Sequence, residues 1–146
     1  MLRGNSPATI DEKGRVKIPT QFRRHIESEF GRDLFVTSLN GESVRIYPLT
    51  VWVEIEKKIS ELPSMNPVVH RFKTYVNYFG QVTTMDRQGR VLIQPHLRKE
   101  AEMNGEVAIL GNQNFLELWN RKNFETKRRE QPLTLEDQNL LSSLGI

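Results

Sequence analysis

Few residues in this chain of 146 have the type and spacing that covalent chemistry needs. The three histidines, His25, His70 and His96, are scattered, with none of the i, i+2 or i, i+4 spacings that bring two imidazoles to one metal. There is no cysteine, which removes disulfides, thiolate zinc sites, iron–sulfur ligation and cysteine nucleophiles together and suits a reducing cytosol. No glycine-rich phosphate loop and no G-x-S-x-G elbow occurs. Asp11 and Asp86 occupy matched positions, so they could be taken for a catalytic carboxylate pair. An aspartate opening a tight turn, however, spends its oxygens on backbone N–H groups. The residues point away from an enzyme and imply no cofactor, no metal and no small-molecule substrate.

What remains is positive charge and where it lies. The 21 Lys and Arg exceed the 18 Asp and Glu by only three. Residues 11 to 25 alone hold five basic groups against two acidic ones, and residues 86 to 99 hold four against one, so each segment is net +3 and the rest of the chain is net −3. Lys13, Arg15, Lys17, Arg23 and Arg24 lie in the first segment, and Arg87, Arg90, Arg98 and Lys99 in the second. Charge confined in this way suggests two local patches for an anionic partner such as nucleic acid. For Arg15 and Arg90, an ion pair with the turn aspartate explains the residue type as readily as contact with an anion does. His25 and His96 fall beside the patches, within reach of a phosphate or merely on the surface.

The two segments are copies of each other. Asp11 to Arg24 reads DEKGRVKIPTQFRR and Asp86 to Lys99 reads DRQGRVLIQPHLRK, with Asp11/Asp86, Gly14/Gly89, Arg15/Arg90, Val16/Val91, Ile18/Ile93 and Arg23/Arg98 identical. The likeness continues as Phe35-Val36 against Val107-Ala108, Arg45-Ile46-Tyr47 against Glu117-Leu118-Trp119, and Trp52 against Phe124. The chain therefore reads as a tandem duplication.

These elements must position the charges. In each Asp-x-x-Gly-Arg step, Asp opens a turn and Gly takes positive φ, which predicts a hairpin loop flanked by strands at Ala8 to Ile10 and Val16 to Ile18, and again at Val91 to Ile93. Asp11, Gly14, Asp86 and Gly89 are the turn-bracing residues. Pro19 and Pro95 then open short helices, with Phe22, Ile26 and Phe30 on one face and Leu97 with Ala101 repeating the pattern. Second hairpins follow at Leu34 to Thr37 with Ser43 to Tyr47, and at Val107 to Leu110 with Phe115 to Trp119. Between the copies, Trp52, Ile55, Ile59 and Leu62, then Val69, Phe72, Val76 and Phe79, predict a helical pair broken at Pro63 to Pro67. Tyr47, Trp52, Trp119 and Phe124 read as core rather than as a base-stacking platform. The tail ends in Leu140, Leu141 and Leu144, with Thr134 and Asp137 placed as N-cap and N3 of a short docking helix or a frayed end. The longest apolar run is four residues, Val107 to Leu110, and Met1 to Asn5 has no apolar stretch behind its charge, so neither a membrane span nor an export signal is expected.

Two copies of D-x-x-G-R-V-x-I each leading to a short basic helix, a central helical pair carrying Leu62-Pro63-Ser64-Met65-Asn66-Pro67, and the opening Arg3-Gly4 resemble the MraZ family of bacterial transcription regulators. The match runs from Met1 to about Phe124. Each half resembles a SpoVT/AbrB domain, the swapped-hairpin fold. The resemblance implies an α+β, mainly β chain in which the copies build one double-split β-barrel with a helical pair between them. The units would be repeat 1 at 5–52, a connector at 53–80, repeat 2 at 81–124 and a tail at 125–146. It further implies a cytoplasmic, nucleoid-associated homo-oligomer, a closed ring that binds short direct repeats of double-stranded DNA. Those repeats would lie in the promoter of the division and cell-wall gene cluster, its own gene included. The family's D-x-x-x-R motifs fall on Asp11 with Arg15 and Asp86 with Arg90, so the expected DNA-binding set is Lys13, Arg15, Lys17, Arg23, Arg24, Arg87 and Arg90. Copy two departs with Gln88 for Lys13, Gln94 for Pro19 and Glu117 for Arg45. The competing expectation is an antitoxin-like scaffold that binds protein and reads no DNA. Independently of the family, a half of about 70 residues is marginal alone, which favours two copies sharing one core.

Overall fold

Each Asp-x-x-Gly-Arg step closes as its residue types dictate in the computed structural model, which describes all 146 residues. The Gly14 N–H donates to the Asp11 carbonyl at 2.9 Å and the Asp11 N–H to the Arg15 carbonyl at 2.9 Å. The Asp86 turn repeats both bonds at 3.0 Å. Gly14 and Gly89 take φ of +82° and +77°, a region L side chains rarely enter.

Copy one contributes β1 (Asn5–Ile10), β2 (Arg15–Lys17), α1 (Thr20–Glu29), β3 (Asp33–Thr37) and β4 (Val44–Pro48). The connector is α2 (Leu49–Ser60) and α3 (Pro67–Phe79), the latter started by Asn66, whose side chain accepts the Val68 N–H at 2.9 Å. Copy two supplies β5 (Gln81–Thr84), β6 (Arg90–Leu92), α4 (Pro95–Glu100), β7 (Gly105–Asn112) and β8 (Phe115–Asn120), and the tail holds α5 (Arg121–Glu130) and α6 (Leu135–Ser143). The edges expected at 52/53 and 124/125 fall inside α2 and α5.

The strands form one sheet in the order β5-β3-β4-β8-β7-β1-β2-β6, antiparallel throughout. Its end strands β5 and β6 are joined by the Asp86 turn, so the sheet bends into a nearly closed barrel. The fold is α+β, a double repeat of the AbrB-like kind. Four pairings cross between the copies: β1 with β7, β3 with β5, β2 with β6 and β4 with β8. Neither copy can satisfy its own strand edges.

One apolar core fills the barrel with matched residues from both copies: Ile10 and Met85, Val16 and Val91, Ile18 and Ile93, Phe22 and Leu97, Ile26 and Ala101. A second cluster lies outside the sheet, where Trp52 of α2 stacks on Phe35 at 4.6 Å and Val76 of α3 packs beside Tyr47. Trp119 and Phe124 are only half-buried, their rings 6.0 Å apart. The matching of Phe35-Val36 with Val107-Ala108 is corrected by one residue. Leu34 and Val36 face the barrel core as Val107 and Ile109 do, while Phe35 faces outward to Trp52. The hairpin of copy two is one residue shorter, Val36 pairing with Ile46 but Ile109 with Leu118. A one-residue slip moves a side chain to the other face of a strand.

Candidate nucleic-acid interface

The two turns project from a short ribbon. In it, Arg15 pairs with Leu92, Val16 with Val91 and Lys17 with Arg90. Val16 and Val91 are fully buried, so alternation turns Arg15, Lys17, Arg90 and Leu92 to the opposite, outward face. The Ile18 N–H donates to the Gly89 carbonyl at 2.8 Å and the Ile93 N–H to the Gly14 carbonyl at 2.9 Å, so each copy's strand is clamped to the other copy's turn.

Within each turn the aspartate orients the arginine. Asp11 accepts the backbone N–H groups of Lys13 at 3.0 Å and Arg15 at 2.9 Å on one oxygen and the Arg15 Nε at 2.9 Å on the other. Asp86 does the same with the Gln88 N–H at 2.9 Å, the Arg90 N–H at 2.8 Å and the Arg90 Nε at 2.8 Å. The Arg15 N–H, followed by its guanidinium, holds the Asp11 carboxyl below the usual aspartate range. The Arg90 N–H and guanidinium pull Asp86 down from 3.8 to about 2. Both aspartates stay ionised at neutral pH. Because each arginine is held through Nε alone, its two terminal nitrogens are left without a partner in the chain, a pre-oriented fork that suits bidentate acceptors.

Arg23 and Arg98 lie crosswise over the turns. A Cβ on Gly14 would strike the Arg98 guanidinium, and one on Gly89 would come within 2.8 Å of Arg23 Cδ. Arg23 also donates to the Arg87 carbonyl at 2.6 Å and pairs with Glu27 at 2.9 Å. The structure thus places Arg23 under the tip of the other copy's turn, while Lys13, Arg24 and Arg87 are exposed and their side chains carry no bond within the chain. Arg15, Lys17 and Arg90 share one surface. Of the histidines, His96 is engaged with the Tyr78 carbonyl at 2.8 Å and His25 lies edge-on to Phe30. No group of three His, Cys, Asp or Glu side chains is placed to hold a metal, and no helix is long and apolar enough to cross a membrane.

Two features escaped the sequence reading. Leu92 points outward by the alternation of its own strand, but its place opposite Arg15 becomes visible only once β2 is known to pair with β6. Helix α5 carries Arg121, Lys122, Lys127, Arg128 and Arg129 against Glu125 and Glu130, a third +3 segment. Its charge was countable in the sequence, but it lies outside the duplicated motif. Three of its cations are paired, Arg121 with Glu106, Lys127 with Glu42 and Arg128 with Glu125.

Comparison with known proteins agrees with this layout. The family model described as "MraZ protein, putative antitoxin-like" matches residues 1–74 and 81–141, one stretch per copy. A protein named transcriptional regulator MraZ from Koribacter versatilis is 45% identical over 147 residues, covering all of both chains. Its namesake from Acidobacterium capsulatum is 42% identical over 146 residues, again end to end. The one from Chromobacterium violaceum is 32% identical over 99% of this chain and 97% of its own.

Proposed function

The chain belongs to the MraZ family of transcriptional regulators, and on that premise we propose that it acts by binding short direct repeats of duplex DNA through the outward face of the β2/β6 ribbon. The repeats belong to the promoter of the division and cell-wall gene cluster that includes its own gene, and several copies joined in a ring engage them together. The observation that carries the reading is Lys17 directly opposite Arg90. Like charges facing each other across a strand pair destabilise a sheet, so the arrangement makes sense when an anion completes it.

A two-stranded ribbon fits the major groove of B-form DNA. The turn aspartates hold Arg15 and Arg90 with their terminal nitrogens outward, the geometry that grips guanine O6 and N7 or a phosphate in two bonds. Lys17 lies between, and the exposed Lys13, Arg24 and Arg87 extend the positive surface to flanking phosphates. Arg23 holds the second turn in place from behind. A head-to-tail ring presents identical faces in one rotational sense, which suits direct repeats, whereas a twofold dimer suits a palindrome.

The test is a titration of the full chain with a duplex carrying two direct repeats, a shuffled duplex and a duplex with about half a helical turn inserted between the repeats. Preference for the native spacing, lost on insertion and reduced by Arg15→Ala in a folded protein, is the expected result. Equal, salt-insensitive binding to all three duplexes would favour the antitoxin-like scaffold instead.

A further inference from the structure

Helix α6 has no role in the barrel. Its nine residues begin with a reciprocal cap, in which Asp137 N–H donates to Thr134 Oγ1 at 3.1 Å and Thr134 N–H to Asp137 Oδ2 at 3.0 Å. A helix of this length is marginal in water without packing, yet none of its residues is buried. Leu135, Leu140 and Leu144 are 72%, 62% and 67% exposed. The only charged side chains from Gln131 to Ile146 are Glu136 and Asp137, so the arm is apolar and acidic.

A surface of the opposite kind lies on α3. One side of that helix is used, Phe72 and Val76 packing against the Trp52 cluster. The other side displays Val68, Tyr75 and Tyr78, 63%, 49% and 64% exposed, in one helical stripe with Arg71. No carboxylate occurs from Leu62 to Met85, whereas His70, Arg71 and Lys73 do. An apolar stripe whose own helix carries Arg71 and Lys73 and no carboxylate complements an apolar helix that carries acids alone.

We infer that α6 of one copy docks on the exposed stripe of α3 of a second copy. This rests on the reading of the protein as an assembly of copies, and it names the two surfaces that join them. The choice of a second copy over the same chain follows from reach and burial: the tether to α6 is only Gln131 to Leu133, and within its own chain α6 buries none of its residues. Joining two different surfaces of one chain is a heterologous contact, the kind that closes rings or grows filaments.

Because the chain has no cysteine, the contact can be trapped cleanly. Full-length Ser142→Cys protein is mixed with full-length Thr74→Cys protein, both substitutions being at exposed sites, and oxidised without DNA. A disulfide-linked heterodimer, formed faster than the homodimers of either variant alone, is expected. Sedimentation velocity on Leu140→Glu/Leu144→Glu should show loss of the assembled species with an unchanged circular dichroism spectrum. Arg71→Glu should show the same loss, and Glu136→Arg in the same chain should restore assembly. No heterodimer and undiminished assembly in these variants would overturn the inference while the ring stands on other surfaces. A wild-type protein that is monomeric across a wide concentration range would overturn both. Efficient cross-linking only within a chain carrying both cysteines would place α6 on its own α3 and overturn the second copy.

Discussion

Removing the Lys17 charge with Lys17→Gln should move stability and DNA affinity in opposite directions. The lysine stands directly opposite Arg90, and opposed like charges on neighbouring strands cost roughly 0.2–1 kcal/mol. Arg90 is partly neutralised by Asp86 at 2.8 Å and Lys17 is solvent-exposed, so the lower half applies, about 0.2–0.5 kcal/mol at low salt. For a domain of this size that is a rise in Tm of roughly 0.5–2 °C. Glutamine keeps the length of the side chain and leaves Val16 inside, so packing is unchanged. In DNA binding the same substitution removes a phosphate-neutralising cation, and the slope of log K against log salt should become shallower by roughly 0.9 for each subunit engaged. Urea denaturation at low and high salt gives the first quantity, and fluorescence anisotropy of a labelled direct-repeat duplex at several salt concentrations gives the second. The stability gain should disappear at high salt. A variant that is less stable than the parent, or one that binds with an unchanged salt slope, would refute the argument that this face is built for an anion.

Three further outcomes are expected. Asp86 titrates near 2 when folded and near 3.8 otherwise, so its contribution is complete above about pH 4 and is lost as pH falls from there through about 2; Asp86→Asn should be less stable than the parent at pH 6, and the gap should close in urea midpoints measured toward pH 2. Arg23→Ala removes the bond to the Arg87 carbonyl and the cover over Gly89, and for this partly exposed side chain about 1 kcal/mol, or 2–4 °C in Tm, is expected. Amide exchange at Gly89 and Arg90 should accelerate in that variant while Gly14 and Arg15 are unaffected. Residues 1 to 65 expressed alone should show no cooperative thermal transition as a monomer, because β1 and β3 lose their partners β7 and β5.

The duplication and the turns were legible because their chemistry is local. An aspartate, a glycine at positive φ and an arginine within five positions specify a turn whatever surrounds it. The helical pair was legible for the same reason, its apolar spacing reporting one buried face. The alternation of β2 and β6 told which residues face inward, and so which cations face out, but it does not name the neighbouring strand. That Lys17 meets Arg90 depends on the crossing of the two copies. The register of β3 was hidden for a different reason: Leu34, Phe35 and Val36 are all buried, with the barrel core on one side and Trp52 on the other, so period-two alternation is erased. Arg23 reads in the sequence as one of five cations in a basic segment, like its neighbours, and only the fold shows that it also reaches across to the Arg87 carbonyl.

The departures of copy two make more sense in this frame than as drift. Gln94, standing where copy one has Pro19, is 3% exposed and donates to the carbonyls of Val36 and Phe79. Thr37 Oγ1 donates to the Val76 carbonyl at 2.6 Å beside it. The bonds to Phe79 and Val76 tie the end of α3 to the barrel, and a proline at position 94 would supply no side-chain donor for the carbonyls of Val36 and Phe79. The same division holds at Glu117, which accepts from Trp119 Nε1 at 2.8 Å where copy one has Arg45 bonded to Tyr47 at 3.0 Å. Of the three departures Gln94 sits where α3 meets the barrel, Glu117 and Arg45 face each other across β8 and β4, and Gln88 lies in the turn, whereas Asp, Gly and Arg of the turns and the valines behind them are kept in both copies. A pseudo-symmetric ribbon is thereby preserved on a body that is free to differ, which is what a surface needs if its two edges are to meet the two strands of one groove.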